Sequence, residues 1–131
     1  MPQPEMHWLF AYGLTQFIEA PIYFFLLYRA HQAVSDTAPA ARLAVSALLP
    51  SALTHPILWW VAFPALYATF GYWGTAAACE VTLTAIEGLV LVAFLPTTPP
   101  RRRTYGFGGS VLGNASSFTT GLITSHFFDW P

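Results

Sequence analysis

Four long apolar stretches, joined by short polar segments, constrain what this chain can fold into. They cover residues 7–28, 43–70, 75–95 and 105–128, and each is close to the roughly 20 residues that cross a bilayer as an α-helix. Lipid offers no partner to backbone N–H and C=O groups, so long apolar stretches of this kind cross a membrane as helices. The sequence therefore predicts an all-α polytopic membrane protein in which residues 1–131 form a single domain, an up-down bundle of four transmembrane helices.

The composition agrees with a membrane protein. Apolar residues make up 55% of the sequence and charged residues only 8%, whereas about a quarter of the residues in a soluble domain are charged. A net charge of −1 and the lack of a basic face argue against binding of nucleic acid. The lone Cys79 excludes a disulfide within the chain and a cysteine-based metal cluster. The expected partner is the lipid bilayer.

The five basic side chains predict the orientation in the membrane. Arg29 and Arg42 lie in the first connecting segment, residues 101–103 are arginines in the third, and the second segment has no basic residue. Basic loops remain on the cytoplasmic side, so both termini are expected outside. The first apolar stretch lacks a basic leader and a small-residue cleavage site, so we expect it to be retained as a helix.

Polar side chains recur near the middle of the predicted helices. A carboxylate inside a membrane helix costs several kcal/mol unless it is paired, protonated or hydrated, and by default it indicates a functional site. Counting inward from the helix ends at about 1.5 Å per residue places one polar group of every helix in a shared layer. The predicted midplane ion or proton site consists of Glu19, His55, Glu87, Asn114 and Ser117.

Helical spacing directs further polar side chains toward the same centre. Residues three, four or seven positions apart share a helix face, which groups Gln16 with Glu19 and places Glu80 and Thr84 with Glu87. We expect these faces to point inward, because lipid offers polar groups no hydrogen-bond partner. Gln16, Glu80 and Thr84 are accordingly predicted to provide access to the site.

Small residues recur every four positions along the last apolar stretch. Such a ridge allows another helix backbone to approach closely. Packing within the chain and an interface in a homo-oligomer both fit this pattern. The predicted helix-packing ridge comprises Gly109, Gly113, Ser117, Gly121 and Ser125.

Several short motifs resemble a pattern found in small four-helix bacterial integral membrane proteins of unsettled function. The motifs are Glu19-x-Pro21, Thr54-His55-Pro56-x-x-Trp59, Glu80 with Glu87, and Asn114-x-x-Ser117. The resemblance implies that these positions belong together, and it attaches no activity to them. With the predicted topology, it places the chain in the bacterial inner membrane.

A buried centre of glutamate, histidine and asparagine suits several functions. Glutamate and histidine can both exchange protons, so our leading hypothesis is an ion- or proton-coupled transporter or a subunit of one. Four helices make a thin wall around any pathway, so a homo-oligomer or a larger membrane complex is expected. A hydrogen-bonded network that only fixes helix register is an alternative interpretation of the cluster.

Two other functions remain open at the level of the sequence. One is an intramembrane enzyme that acts on a lipid or a membrane peptide, with a divalent metal held by Glu19, His55 and Glu87. The other is an accessory subunit of a larger membrane complex. No catalytic residue is assigned, and we expect no haem, because His55 is the only histidine near the centre of a predicted helix.

Overall fold

The computed structural model of the chain describes residues 4–96 and 99–128, and the side chains of residues 8–96, 101–124, 126 and 127. Over these residues the chain is all-helical, which confirms the all-α part of the predicted fold class. The elements are helix α1 (Pro4–Ala33), helix α2 (Ala40–Ile57), a π-helical turn (Leu58–Ala62), helix α3 (Phe63–Phe94) and helix α4 (Pro99–Phe128).

Helix α3 contains a reversal of the chain at Gly71. The backbone there has φ 64° and ψ −176°, a region that essentially only glycine occupies. Thr54 and Glu87 are 33 residues apart and are joined by a hydrogen bond of 2.6 Å, whereas a straight helix would separate them by about 50 Å. Residues 72–94 therefore run antiparallel to helix α2. The reversal lies in residues 71–74, the segment that connects the second and third apolar stretches.

The helices pack in a ring. Helix α1 contacts α2 and α4, and helix α3 contacts the same two helices from the other side. The apolar core lies toward the end of the bundle where α1 ends and α2 begins. Its largest buried side chains are Tyr23, Leu27, Leu43, Leu91 and Leu95.

The basic side chains gather at that same end of the bundle. The Arg102 guanidinium donates to the carbonyl of Val92, with 2.6 Å from Nη2 and 3.1 Å from Nε. Carbonyls in the last turn of a helix lack intrahelical donors, so this contact caps the C-terminus of α3. His31 in the last turn of α1 lies, through Nδ1, 3.0 Å from Oδ2 of Asp36 in the segment that follows.

Two helical stretches, Trp8–Ala33 and Ala40–Phe94, are long and apolar enough to cross a membrane. Large apolar side chains cover the outside of both, with Phe17 and Val81 more than 70% exposed. Within the described residues, helix α4 is not a third such stretch, because glycine, serine and threonine lower its hydropathy. The sequence predicted four membrane spans, and the structure shows two stretches that are long and apolar enough to cross a membrane.

Candidate functional site

Glu19 on helix α1 is buried and is hydrogen-bonded to two neighbouring helices. Its side chain is 1% exposed. Ser51 Oγ on α2 donates to Oε2 at 2.5 Å, and Ser117 Oγ on α4 donates to Oε1 at 2.5 Å. Both oxygens therefore have a donor, and both donors are neutral hydroxyl groups.

Glu87 on helix α3 is equally buried and accepts hydrogen bonds from the other three helices. Thr54 Oγ1 donates to Oε1 at 2.6 Å, while the Tyr23 hydroxyl and Asn114 Nδ2 each lie 2.8 Å from Oε2. Asn114 Nδ2 also lies 3.0 Å from the Ser110 carbonyl, and the two contacts use both amide hydrogens. All of the helices α1 to α4 thus meet at this carboxylate.

The two carboxylates lie at nearly the same depth in the bundle. Their donors on α2, Ser51 and Thr54, are three residues apart, and their donors on α4 are also three residues apart. Three residues of helix rise about 4.5 Å. Glu19 and Glu87 are also close enough to interact electrostatically.

No positively charged side chain balances the two carboxylates within the described part of the chain. The ion pair found there joins His31 to Asp36, at the basic end of the bundle. Burying an ionised carboxylate without a counter-ion is strongly unfavourable. Protonation of the carboxyl groups would remove this cost.

Two of the donor hydroxyls have a backbone carbonyl as a second acceptor. Thr54 Oγ1 lies 3.1 Å from the Pro50 carbonyl, and Ser117 Oγ lies 3.1 Å from the Asn114 carbonyl. A hydroxyl carries one hydrogen and can rotate. When the carboxylate is ionised, each hydroxyl can donate its hydrogen to it. When the carboxyl group is protonated, it can donate to the hydroxyl oxygen, and the hydroxyl hydrogen can turn to the backbone carbonyl. The site can satisfy both protonation states of both glutamates.

His55 lies beside this network. It is 7% exposed, its ring centroid is 5.5 Å from that of Tyr12, and its Nδ1 has no hydrogen-bond partner among the described residues. The sequence predicted His55 as a partner of the glutamates. In the structure it contacts Tyr12 instead, because it is one turn farther along α2 than Ser51, the residue that reaches Glu19.

Gln16 lies one turn from Glu19 on helix α1, as predicted for an access residue. Its Nε2 donates to the Tyr12 hydroxyl at 3.2 Å and to the Leu48 carbonyl at 3.3 Å. Its Oε1 is buried without a partner in the described part of the chain. Gln16 thus joins α1 to α2 one helical turn before Glu19.

The other two predicted access residues lie on helix α3. Glu80 is half-buried and seven residues before Glu87, which corresponds to about two turns on the same face. Thr84 is also half-buried, and its backbone carbonyl accepts a hydrogen bond of 2.7 Å from Ser110 Oγ. Neither side chain donates to Glu87 within the described residues.

Several residues of the site were left out of the predicted set. Tyr23, Ser51 and Thr54 contact the carboxylates directly. Helical spacing was the available signal, since Tyr23 is one turn beyond Glu19 and Ser51 is one turn before His55. Spacing thus groups Tyr23 with Glu19 and Ser51 with His55, but the predicted site included only the glutamate and the histidine of these pairs.

The geometry does not form a metal centre. Among the described residues, no three His, Cys, Asp or Glu side chains are placed to hold a metal ion. Of the predicted ligands, His55 faces Tyr12, while the oxygens of Glu19 and Glu87 already accept hydrogen bonds from protein donors. The metal interpretation of these three residues has no geometric support.

The first part of the small-residue ridge on α4 packs against α1. A Cβ atom at Gly109 would lie 2.7 Å from Leu26 Cδ1, and one at Gly113 would lie 2.6 Å from Tyr23 Cε1. Contacts this short leave no room for a larger side chain. The absence of a side chain at Gly113 therefore allows Tyr23 to reach Glu87.

The last two ridge positions, Gly121 and Ser125, do not show this close packing among the described side chains. A Cβ atom at Gly121 would have no other atom within 4 Å, and the side chain of Ser125 lies outside the described residues. In the described part of the ridge, the positions up to Ser117 therefore serve packing within the chain. The open position is Gly121.

No protein-family model, curated protein or solved structure matches the chain. The resemblance based on motifs such as Thr54-His55-Pro56 therefore remains an interpretation of the sequence. The chemistry of the two buried carboxylates is the basis on which a function can be assigned.

Proposed function

We propose that this chain is an integral membrane protein that binds and releases protons at Glu19 and Glu87, as a proton-coupled transporter or a subunit of one. The observation that supports this function is a pair of carboxylates buried at one depth, surrounded by neutral donors, with no counter-ion in the described residues. A proton fits better than a larger cation at Glu87, because the Asn114 amide points a hydrogen at Oε2 and cannot turn it away as a hydroxyl can.

Repeated uptake and release of a proton requires that the site tolerate both charge states. Rotation of the Thr54 and Ser117 hydroxyls between a carboxylate and a backbone carbonyl provides this without movement of a helix. A hydroxyl that bonds the carbonyl three or four residues earlier is common in helices, and Thr82, Thr120 and Thr124 make this contact away from the site. The second acceptors therefore allow proton exchange, and a structural network would have them too.

The proposal includes four membrane spans. The two membrane-competent stretches supply three of them, because Ala40–Phe94 folds back at Gly71. Helix α4 is proposed as the fourth, since Asn114 and Ser117 reach the carboxylates held by the other helices. The arginine-rich end is proposed to be cytoplasmic, with both termini outside. A reporter fused to the C-terminus that is active only outside the cytoplasm tests this orientation.

Assembly with further chains is also part of the proposal. Four helices leave little room for an enclosed pathway beside the carboxylates, so we expect a homo-oligomer or a larger membrane complex. Native mass measurement of the protein in detergent distinguishes a homo-oligomer from a monomer and from a complex with other subunits.

Proton flux in proteoliposomes tests the function directly. We expect Glu19→Gln and Glu87→Gln each to abolish proton movement reported by a pH-sensitive dye inside the vesicles. Asp36→Asn is the matched control, because it makes the same chemical change at an exposed carboxylate outside the site. Flux that persists in both glutamate variants would refute the proposal.

Infrared difference spectroscopy provides a second test that does not need a transported substrate. A change in buffer pH should produce a carboxylic-acid C=O difference band in the wild-type protein. Glu87→Gln should lack part of that band, whereas Asp36→Asn should keep the part due to buried groups. Identical spectra for the wild-type protein and Glu87→Gln would mean that Glu87 never exchanges its proton.

A further inference from the structure

The interface between α1 and α2 contains buried polar atoms without protein partners. Trp8 Nε1, Gln16 Oε1 and His55 Nδ1 are all buried and have no hydrogen-bond partner within the described residues. All three lie between the N-terminal end of α1 and Glu19. Buried polar groups are normally hydrogen-bonded, so a cluster of exceptions requires an explanation.

These atoms belong to one continuous set of contacts. Trp8, Tyr12 and Gln16 are spaced four residues apart and share a face of α1. The Trp8 ring stacks on Tyr12 at 5.8 Å and meets Trp60 of the π-helical turn at 6.1 Å, while Tyr12 contacts His55 at 5.5 Å. Gln16 Nε2 donates to the Tyr12 hydroxyl at 3.2 Å. The unpartnered atoms therefore line a single seam.

The chemistry of the seam matches water. Trp8 Nε1 can only donate, Gln16 Oε1 can only accept, and His55 Nδ1 does either, depending on its tautomer. A buried water molecule makes about three hydrogen bonds and can both donate and accept.

The seam leads to the carboxylates. Gln16 is one turn from Glu19, and His55 is one turn from Ser51, which donates to Glu19 at 2.5 Å. We propose that water occupies this seam and forms the path by which protons reach Glu19 from the N-terminal end of α1. This inference rests on the proposed proton exchange at Glu19. It adds that protons reach Glu19 from the side of the membrane where α1 begins.

Apolar packing closes the opposite end of the bundle. Between the carboxylates and the arginine-rich end, Leu27, Leu43, Leu91 and Leu95 are each no more than 3% exposed and form the core. The cluster is apolar apart from the Tyr23 hydroxyl, which bonds Glu87, and Ser46 is a separate buried hydroxyl on that side. We therefore place the water path at the N-terminal end of α1.

Hydroxyl-radical labelling of the unmodified protein in lipid nanodiscs tests the path, because side chains next to water are oxidised. Tyr12 and Tyr23 form a matched pair on α1, since Tyr23 is fully buried and bonded to Glu87. Phe10 lies near the depth of Tyr12 but is 57% exposed on the outer surface, where lipid covers it in a nanodisc. We expect labelling of Tyr12 without labelling of Tyr23 or Phe10.

Failure of the path and failure of the proposed function give different results. Unlabelled Tyr12, or equal labelling of Tyr12 and Phe10, overturns the path even if the protein carries protons. Labelled Tyr12 in a protein without proton flux supports the path and refutes the proposed function.

A variant provides a second measurement of the path. Gln16→Leu removes the polar side chain on α1 that lines the seam one turn from Glu19, so it should abolish Tyr12 labelling and slow proton flux. Phe17→Leu, at the next residue and on the outer surface, should change neither. Unchanged labelling and flux in Gln16→Leu would overturn the path.

Discussion

The Thr54 hydroxyl donates a hydrogen bond of 2.6 Å to Glu87, although 33 residues and a reversal of the chain separate the two. The same hydroxyl lies 3.1 Å from the Pro50 carbonyl. The contact therefore has two consequences. It holds the two arms of the long helical stretch against each other, and it supplies a donor that can turn away when Glu87 binds a proton.

Thr54→Val keeps the shape of the side chain and removes this donor. We expect the free energy of unfolding to fall by about 1–3 kcal/mol, because a buried carboxylate oxygen loses its hydrogen bond. Thr82→Val is the matched control, since the Thr82 hydroxyl is exposed and bonds only to Ala78 of its own helix at 2.8 Å. Denaturant titration in detergent measures both, and equal losses would contradict the assigned role of Thr54.

Gly71→Ala places a side chain at the reversal. The backbone at φ 64° and ψ −176° disfavours any residue other than glycine by about 1–3 kcal/mol, so we expect a loss of stability of that size. Gly108→Ala is the control, because a Cβ atom there meets no atom within 4 Å and alanine favours a helix by up to about 1 kcal/mol. Thermal unfolding compares the two, and a neutral Gly71→Ala would argue against this turn geometry.

Gly106→Ala tests the close approach of α4 to α3. A Cβ atom at Gly106 would clash with Val92 Cγ2 and lie 2.9 Å from the Gly88 carbonyl oxygen. Backbone cannot move aside as a side chain can, so we expect a loss of about 1–3 kcal/mol from overpacking. Gly121→Ala on the same helix has open space and should unfold at the wild-type temperature or above it. A harmless Gly106→Ala would show that the two helices lie farther apart.

Glu19→Gln should fold normally, unlike Glu19→Ala. In the glutamine variant the amide can donate to Ser117 Oγ, whose hydroxyl turns to the Asn114 carbonyl, while the amide oxygen accepts from Ser51. Alanine leaves the buried Ser51 hydroxyl without an acceptor, which costs about 1–3 kcal/mol. Unfolding curves of the two variants test this difference, and equal destabilisation would mean that the hydroxyls do not reorient.

Arg102→Gln should remove the cap on helix α3. Arg102 is half-buried and bonds the Val92 carbonyl, while Arg103 is exposed. Because a partly exposed charged hydrogen bond contributes modestly, we expect a loss of about 1 kcal/mol for Arg102→Gln and almost none for Arg103→Gln. Both variants lose one positive charge, so a difference between their midpoints of unfolding measures the contribution of the cap.

The sequence alone determined the helical class and the approximate depth of the acidic residues. Long apolar stretches can satisfy their backbone in lipid only as helices, and the constant rise of a helix converts residue number into depth. For this reason the sequence places Glu19 and Glu87 in one layer, and Asn114 and Ser117 with them.

Only the tertiary structure decided which side chains meet. Rotation of each helix about its axis and its distance from its neighbours depend on packing, which spacing along one helix does not contain. Packing turned His55 toward Tyr12, brought Tyr23 and Thr54 to Glu87, and placed Gly113 against α1. The depth of the polar groups is thus a local property of the chain, whereas their hydrogen bonds are a property of the assembled bundle.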